Sequence, residues 1–238
     1  MKYIRSKKYE TPEFLGRIMG PNPVKLAEEL LTGHEIPPGA TVLDLGSGQG
    51  VTSVFLAREY GFRVYAADLW SDPAANRRFF TSCGLTENEI IPVKADAENL
   101  PFAKEFFDAV ISLDSYNYFG RNTAYLDTRL LPFLKPGAMM YFSFPGMKKD
   151  LHSCLPRELL LSWTPEQLDY LHDTAYWQKI FEAAQGAETV KLQEMESNEE
   201  VWDDWLACSN EYAANDRKSM NAGGGKYLNF IAAVLRKK

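Results

Sequence analysis

Apolar and polar positions change period along this chain in a regular way. Short, mostly apolar runs at 41–45, 62–67, 90–95, 107–113 and 138–144 predict strands, and the stretches between them at 51–60, 73–83 and 121–134 carry apolar residues at helical spacing. Strands that alternate with helices at this interval form a parallel sheet covered on both faces. Ahead of this block, residues 1–36 make an N-terminal helical segment. Phe14, Leu15 and Ile18, then Val24, Leu26, Leu30 and Leu31, predict two short helices, and Pro21 and Pro23 in Met19-Gly20-Pro21-Asn22-Pro23 interrupt a continuous one.

Behind the block the alternation breaks. Residues 146–175 hold Leu151, Leu155, Leu159, Leu160, Leu161, Trp163 and Leu168, and Thr164-Pro165-Glu166 reads as a helix start with a threonine cap and proline in the first turn. This insertion falls on the rim where a ligand enters such sheets, so it is expected to cap the site. A helix at about 176–184, a strand from Glu188 to Leu192, a helix from Glu199 to Tyr212 and a strand from Tyr227 to Leu235 complete the chain, and Gly223-Gly224-Gly225 reads as a flexible link. The 238 residues make a single domain large enough to bury a full core.

The chemistry concentrates where the first strand ends. Thr41-Val42-Leu43-Asp44-Leu45 runs into Gly46-Ser47-Gly48-Gln49-Gly50, a helical pattern opens behind it, and Asp68 follows eighteen residues after Gly50. Glycines between a strand and a helix start let a polar, extended ligand lie against bare backbone N–H groups. A dinucleotide fingerprint needs a glycine at the sixth position from Gly46, and Val51 stands there. That departure opposes a nucleotide-cofactor oxidoreductase. Gly46, Asp68, Asp96 and Ser112 to Tyr116 all fall at strand C-termini, on one rim of the sheet.

The turn Asp44-Leu45-Gly46-Ser47-Gly48-Gln49-Gly50 resembles that of the class I S-adenosylmethionine-dependent methyltransferases. Further stretches are similar to that family in the order it requires: Val64 to Asp68, Val93 to Phe102, Phe107 to Ser112 and Leu130 to Ala138. The likeness is close over about residues 40–145. It implies an α/β, three-layer Rossmann-like fold with a seven-stranded, mostly parallel sheet and one antiparallel strand among the last. It also implies S-adenosyl-L-methionine as cofactor. Asp68, with Leu69 beside it, would accept from the ribose hydroxyls. Asp96 would accept from the adenine amino group while the Ala97 N–H donates to the ring. Asp44 would hold the turn or approach the methionine amino group, and Gly46, Ser47, Gly48 and Gly50 would supply backbone. Leu113 at the fourth strand end, and Met19 and Gly20 from an N-terminal segment folded over the cofactor, complete the expected set.

Methyl transfer from a sulfonium demands alignment, a dry site and, for a protonated nucleophile, a base. Candidate catalytic groups are Asp114 and Tyr116, placed at a strand end, and His152 in the insertion; His34 and His172 are the other histidines. The histidines lack ligand spacing, so no metal is expected. Trp163, Tyr170, Tyr176, Trp177, Trp202 and Trp205 are available to build an apolar pocket. Leu113-Asp114-Ser115-Tyr116-Asn117-Tyr118-Phe119 lacks the N/D-P-P-Y/F tetrad of enzymes that methylate nucleobase or glutamine nitrogens.

Charge narrows the partners. The net charge is −6, and the one basic cluster is the first eight residues, so no global field attracts nucleic acid. Cys83, Cys154 and Cys208 are scattered, which suits a reducing compartment, and no apolar run has signal-peptide or membrane-span length. A soluble, cytoplasmic enzyme acting on a small-molecule acceptor is expected, with oligomeric state open. A non-catalytic module that senses the cofactor or its product is the alternative of a different class.

Overall fold

The computed structural model describes residues 2–238. In chain order the main elements are α1 (Pro12–Leu15), α2 (Pro23–Leu30), β1 (Thr41–Leu45), α3 (Val51–Tyr60), β2 (Arg63–Asp68), α4 (Pro73–Ser82), β3 (Ile90–Lys94), β4 (Phe107–Leu113), α5 (Tyr116–Phe119), β5 (Leu134–Met147), α6 (Pro165–Leu168), α7 (Thr174–Glu182), β6 (Ala187–Glu194), α8 (Asn198–Leu206), α9 (Glu211–Asn221) and β7 (Leu228–Lys237). Local chemistry sets their starts. Asn22 caps α2 by accepting from the Val24 and Lys25 N–H groups, Asp72 caps α4 in the same way, and each is followed by proline at the first helical position. Thr164 caps α6 as the sequence predicts, and the Gln167 side chain returns the bond by accepting from the Thr164 N–H.

The seven strands form one sheet in the order β3-β2-β1-β4-β5-β7-β6. The β1, β2, β3, β4 and β5 pairings are parallel, and β7 runs antiparallel to both β5 and β6. Neighbouring residues of one strand feed opposite cores: Val42 and Val64 join Phe55, Val201 and Trp205 on one face, while Leu43, Leu45 and Phe142 join Trp177 and Phe181 on the other. This is the expected three-layer α/β sheet. The chain leaves β1 for β2 and β3 on one side and returns to β4 on the other, so strand order reverses at β1 and β4. Such a reversal leaves a crevice beyond the strand C-termini.

Four expectations are corrected. The helix predicted over 121–134 is absent as a regular α-helix; a π turn at Leu126–Leu130 and a 3-10 turn at Leu131–Phe133 stand in its place. Pro132 lacks an N–H and its ring collides with the carbonyl four residues back, which excludes α-helix through this stretch. The helix predicted to end at Tyr212 is instead two helices, α8 and α9, with Asn210 capping the second. Gly223 does turn the chain at φ 87, but Gly224–Tyr227 is an ordered 3-10 turn, with Gly224 buried against the Ser219 carbonyl and Leu159. Gly146 and Met147 belong to β5, so the insertion starts at Lys148.

The N-terminal segment is held across the sheet by α8. Lys25 is buried and pairs with Asp204 at 2.7 Å, Asn22 Nδ2 donates to the same carboxylate at 2.8 Å, and the Asn22 N–H donates to the Val201 carbonyl. This fixes Met19 to Pro21 over the crevice. Among the described residues no helix is long and apolar enough to cross a membrane.

Candidate active site

The turn after β1 is built on backbone conformations that suit glycine. Gly46, Gly48 and Gly50 have φ of 79, 52 and 81°. A Cβ on Gly46 would run into the Ser115 side chain, and one on Gly50 would run into the Phe80 ring. Gly48 differs, because a Cβ there would meet no atom within 4 Å. The missing side chain opens onto a cavity of about 880 Å³, large enough for a nucleoside-sized ligand. Its lining includes Gly46, Gly48, Asp68, Leu69, Asp96 and Ala97.

Asp68 ties this turn together. Its Oδ2 accepts from the Gly48 N–H at 3.0 Å, and its Oδ1 accepts from the Trp70 and Ser71 N–H groups at 2.8 and 2.7 Å. Each carboxylate oxygen has two lone pairs, so Oδ2 keeps room for a further donor. Asp96 accepts from the Glu98 N–H through Oδ1 alone, leaving its second oxygen on the exposed rim. Beneath the turn Asp44 is buried, accepts from the Ser53 hydroxyl at 2.5 Å through Oδ2, and has no partner for Oδ1 among the described residues. Burial pushes its carboxyl up to about 7, against the pull of the Ser53 bond and with help from the Asp68 charge.

A second cavity of about 310 Å³ adjoins the first at Met19, Asp114 and Tyr118. Trp163, Trp202, Trp205 and Tyr170 give it aromatic walls, and α9 adds Tyr212 and Asp216. Asp114 stands at the junction in a left-handed conformation, φ 52°, with its carboxylate against the Cα of Gly20. Burial, then the Asp216 charge, push Asp114 up to about 7. Burial raises Asp216 as well, opposed by the indole N–H of Trp205, which donates to its Oδ2 at 2.9 Å.

A family model described as "Methyltransferase domain" matches residues 42–137, the span that carries the glycine turn, Asp68, Asp96 and Asp114. The matched span is the one whose motifs resemble the class I S-adenosylmethionine-dependent methyltransferases. It is 31% identical over 111 residues to a glycine/sarcosine/dimethylglycine N-methyltransferase of Actinopolyspora halophila, covering 47% of this chain and 20% of that one. It is 33% identical over 115 residues to a fatty-acid O-methyltransferase of Mycolicibacterium smegmatis, covering 48% and 40%. The chain thus spans less than half the length of these curated relatives. The structure of a geranyl diphosphate C-methyltransferase from Streptomyces coelicolor A3(2) superposes with a TM-score of 0.69 at 14% identity, over 91% of this chain and 77% of that one, which is a likeness of fold.

Most of the residues expected to bind the cofactor lie together. Met19, Gly46, Gly48, Asp68, Leu69, Asp96 and Ala97 line the large cavity, and Gly20, Ser47 and Leu113 line an adjoining pocket that shares Met19, Gly46 and Gly48 with it. Asp44 and Gly50 line neither and act from beneath, the first through Ser53 and the second by packing on Phe80. The catalytic candidates divide. Asp114 lines both cavities, but Tyr116 is fully buried, stacked on Phe142 at 4.1 Å, and burial raises its hydroxyl well above the ordinary range. Tyr118, two residues on, faces the cavities in its place. His152 lines neither; its Nδ1 meets Asp150 Oδ1 at 2.7 Å and its Nε2 meets the Leu168 carbonyl. His34 packs on Tyr60 and Phe62, and His172 stacks on Tyr176.

Folding also gathers groups that sequence spacing does not. His152, Asp169 and His172 bring ligand-type atoms within 4.8 Å of one another, although Arg121 already holds Asp169 at 2.8 Å. Of the aromatic candidates, Trp177 is core and Tyr176 lies on His172, while the other four line the smaller cavity. Asn215 and Asp216 lie on α9, a helix that the apolar spacing does not announce, and Arg17 and Asn76 carry no motif. Asn76 donates to the Gly48 carbonyl at 2.9 Å, a contact that no local pattern announces.

Proposed function

We propose that this chain transfers a methyl group from S-adenosyl-L-methionine to a small-molecule acceptor. The observation that carries the reading is Gly48: a left-handed glycine whose absent side chain opens on a cavity, with the Asp68 carboxylate bonded to its N–H. This fits a ligand with a ribose and an adenine, because Asp68 Oδ2 retains a lone pair for a hydroxyl and the rim carries Asp96 and Ala97 for the base edge. When bound, the cofactor supplies an electrophilic methyl on a sulfonium. The chain's own part is to hold the acceptor at Asp114, keep water out with the aromatic walls and take up a proton where the acceptor carries one. Asp114 suits that last role because its carboxyl, pushed up to about 7, changes state near neutral pH. A purely sensory role would leave the second cavity without a purpose.

Residues 148–173 and the Phe14 to Gly20 stretch serve as the cap over the acceptor, since Trp163, Gln167, Tyr170 and Leu171 reach the smaller cavity from one and Met19 and Gly20 from the other. The three cysteines, unpaired in the fold, accord with the reducing cytoplasm. Titration calorimetry with S-adenosylmethionine, S-adenosylhomocysteine and NAD tests the reading: the first two should bind and NAD should not. Gly48→Val should abolish that binding while a circular dichroism spectrum stays native, because the added methyls enter the cavity and valine resists a φ of 52°. Tight NAD binding without response to the sulfonium ligands would overturn it.

A further inference from the structure

We propose that the 310 Å³ cavity takes an organic amine, bound as its cation, as the methyl acceptor. This rests on the methyl-transfer reading above and names its substrate class. Three tryptophans and three tyrosines line the space, two carboxylates enter it from different elements, Asp114 from the end of β4 and Asp216 from α9, and the lining contains no lysine, arginine or histidine.

The charges have nowhere else to go. Among the described residues neither Asp114 nor Asp216 forms an ion pair. The nearby guanidinium, Arg121, lies outside the cavity, over the Tyr170 ring at 4.3 Å and paired with Asp169. Arg17, at the mouth of the larger cavity, lies over Phe79 at 4.0 Å. Two carboxylates near one another between aromatic faces repel, and a ligand cation relieves both that repulsion and their lost hydration. Ring faces add cation–π attraction, which is stronger away from water. An acceptor bearing a carboxylate or phosphate meets repulsion here, and a neutral apolar acceptor leaves both carboxylates without a counter-charge.

The two carboxylates divide the work by position. Asp216 is oriented by the Trp205 indole and lines the smaller cavity alone, whereas Asp114 lines both cavities. An ammonium nitrogen has no lone pair, so it must lose a proton before it can accept a methyl. Asp114 takes that proton; the N–H bond breaks, its electron pair stays on nitrogen, and the new O–H bond forms on the carboxyl.

Choline and its neutral isostere 3,3-dimethyl-1-butanol probe the cation site directly, because they share shape and differ in charge. Calorimetry on the full chain, with and without S-adenosylhomocysteine, should show choline binding at least about tenfold tighter than the alcohol, the scale of a desolvated cation–π contact joined to a charge pair. In Asp216→Asn, which keeps an acceptor for Trp205, that preference should shrink to about twofold or less; Trp163→Phe, which keeps a ring, should weaken choline less than Trp163→Ala. Equal binding of the two probes by the wild type, or binding of neither, overturns the inference even where S-adenosylhomocysteine binds. Failure of S-adenosylhomocysteine to bind instead removes the methyl-transfer reading and with it the acceptor role, while the choline preference still decides the cation site.

Discussion

Two aspartates on β1 and β2 show how one residue type serves opposite ends. Asp68 sits half-buried with three backbone N–H donors, so Asp68→Asn places an amide NH₂ against at least one of them. Cofactor affinity should fall by roughly 1.5–3 kcal/mol, the range for hydrogen bonds to a charged group, which is about ten- to a hundredfold in dissociation constant. Stability should fall as well, because the carboxylate also holds the glycine turn to the Trp70 loop; a loss of about 1–2 kcal/mol in denaturant unfolding is expected. The 2′-deoxy cofactor is the control. Wild type should discriminate against it more than the variant does, and equal discrimination would place the carboxylate away from the ribose. Asp44 is the reverse case, buried beneath the turn with its carboxyl raised from 3.8 to about 7. A raised folded-state value means this group's contribution to stability is full below about pH 4 and is lost as pH rises through about 7. Asp44→Asn keeps an acceptor for Ser53 but does not ionise. Its melting temperature relative to wild type should therefore climb between pH 4 and 7, by an amount worth up to about 4 kcal/mol. A constant difference across that range would show that Asp44 ionises without penalty.

At the scale of elements, the contact that shapes the smaller cavity is between the Leu159–Leu161 turn and α9. The Ser162 hydroxyl donates to the Asn215 carbonyl at 2.7 Å and accepts from the Ser219 N–H at 2.9 Å; Asn215 Nδ2 returns a bond to the Ser162 carbonyl, and Ser219 Oγ donates to the Leu159 carbonyl. These bonds set Trp163 opposite Trp202 and Trp205, and they place Asp216 between them. Ser162→Ala removes the hydroxyl's bonds to the Ser219 N–H and the Asn215 carbonyl, so it should cost about 1–2 kcal/mol of stability. Amide exchange should rise in 159–163 and α9 together and leave the central strands protected. Exchange that rises in one of the two alone would mean they are not coupled through this serine.

At the scale of the whole molecule, the sheet supplies a rigid rim and the flanking segments supply its cover. Lys25 and Asn22 lock the N-terminal segment to α8, and the serine network locks the insertion to α9, so both covers lean on the helices that precede β7. Hydrogen exchange with and without S-adenosylhomocysteine should show added protection in Phe14 to Gly20 and in 148–173 as well as at the glycine turn. Protection confined to the strand ends would remove the cap from the account.

The sheet and the glycine turn on its rim were legible in the linear chain because their signals are local. Strand and helix periods, a glycine turn and an aspartate at a strand end each occupy a few consecutive residues, and their order fixes the sides of the sheet. Where tertiary context prevailed, the local signal was ambiguous. Leu126 to Phe133 has helical apolar spacing, yet Pro132 forbids the regular bonds. Tyr116 and Tyr118 are alike as residues, and the direction each side chain leaves the short α5 helix puts one in the core and the other in the cavities. The smaller cavity is furthest from any motif: Asp114 and Asp216 lie about a hundred residues apart in sequence and share its lining because the end of β4 and the middle of α9 both come to it. Periodicity reports which face of an element is buried; which elements share a cavity is fixed by packing across the fold.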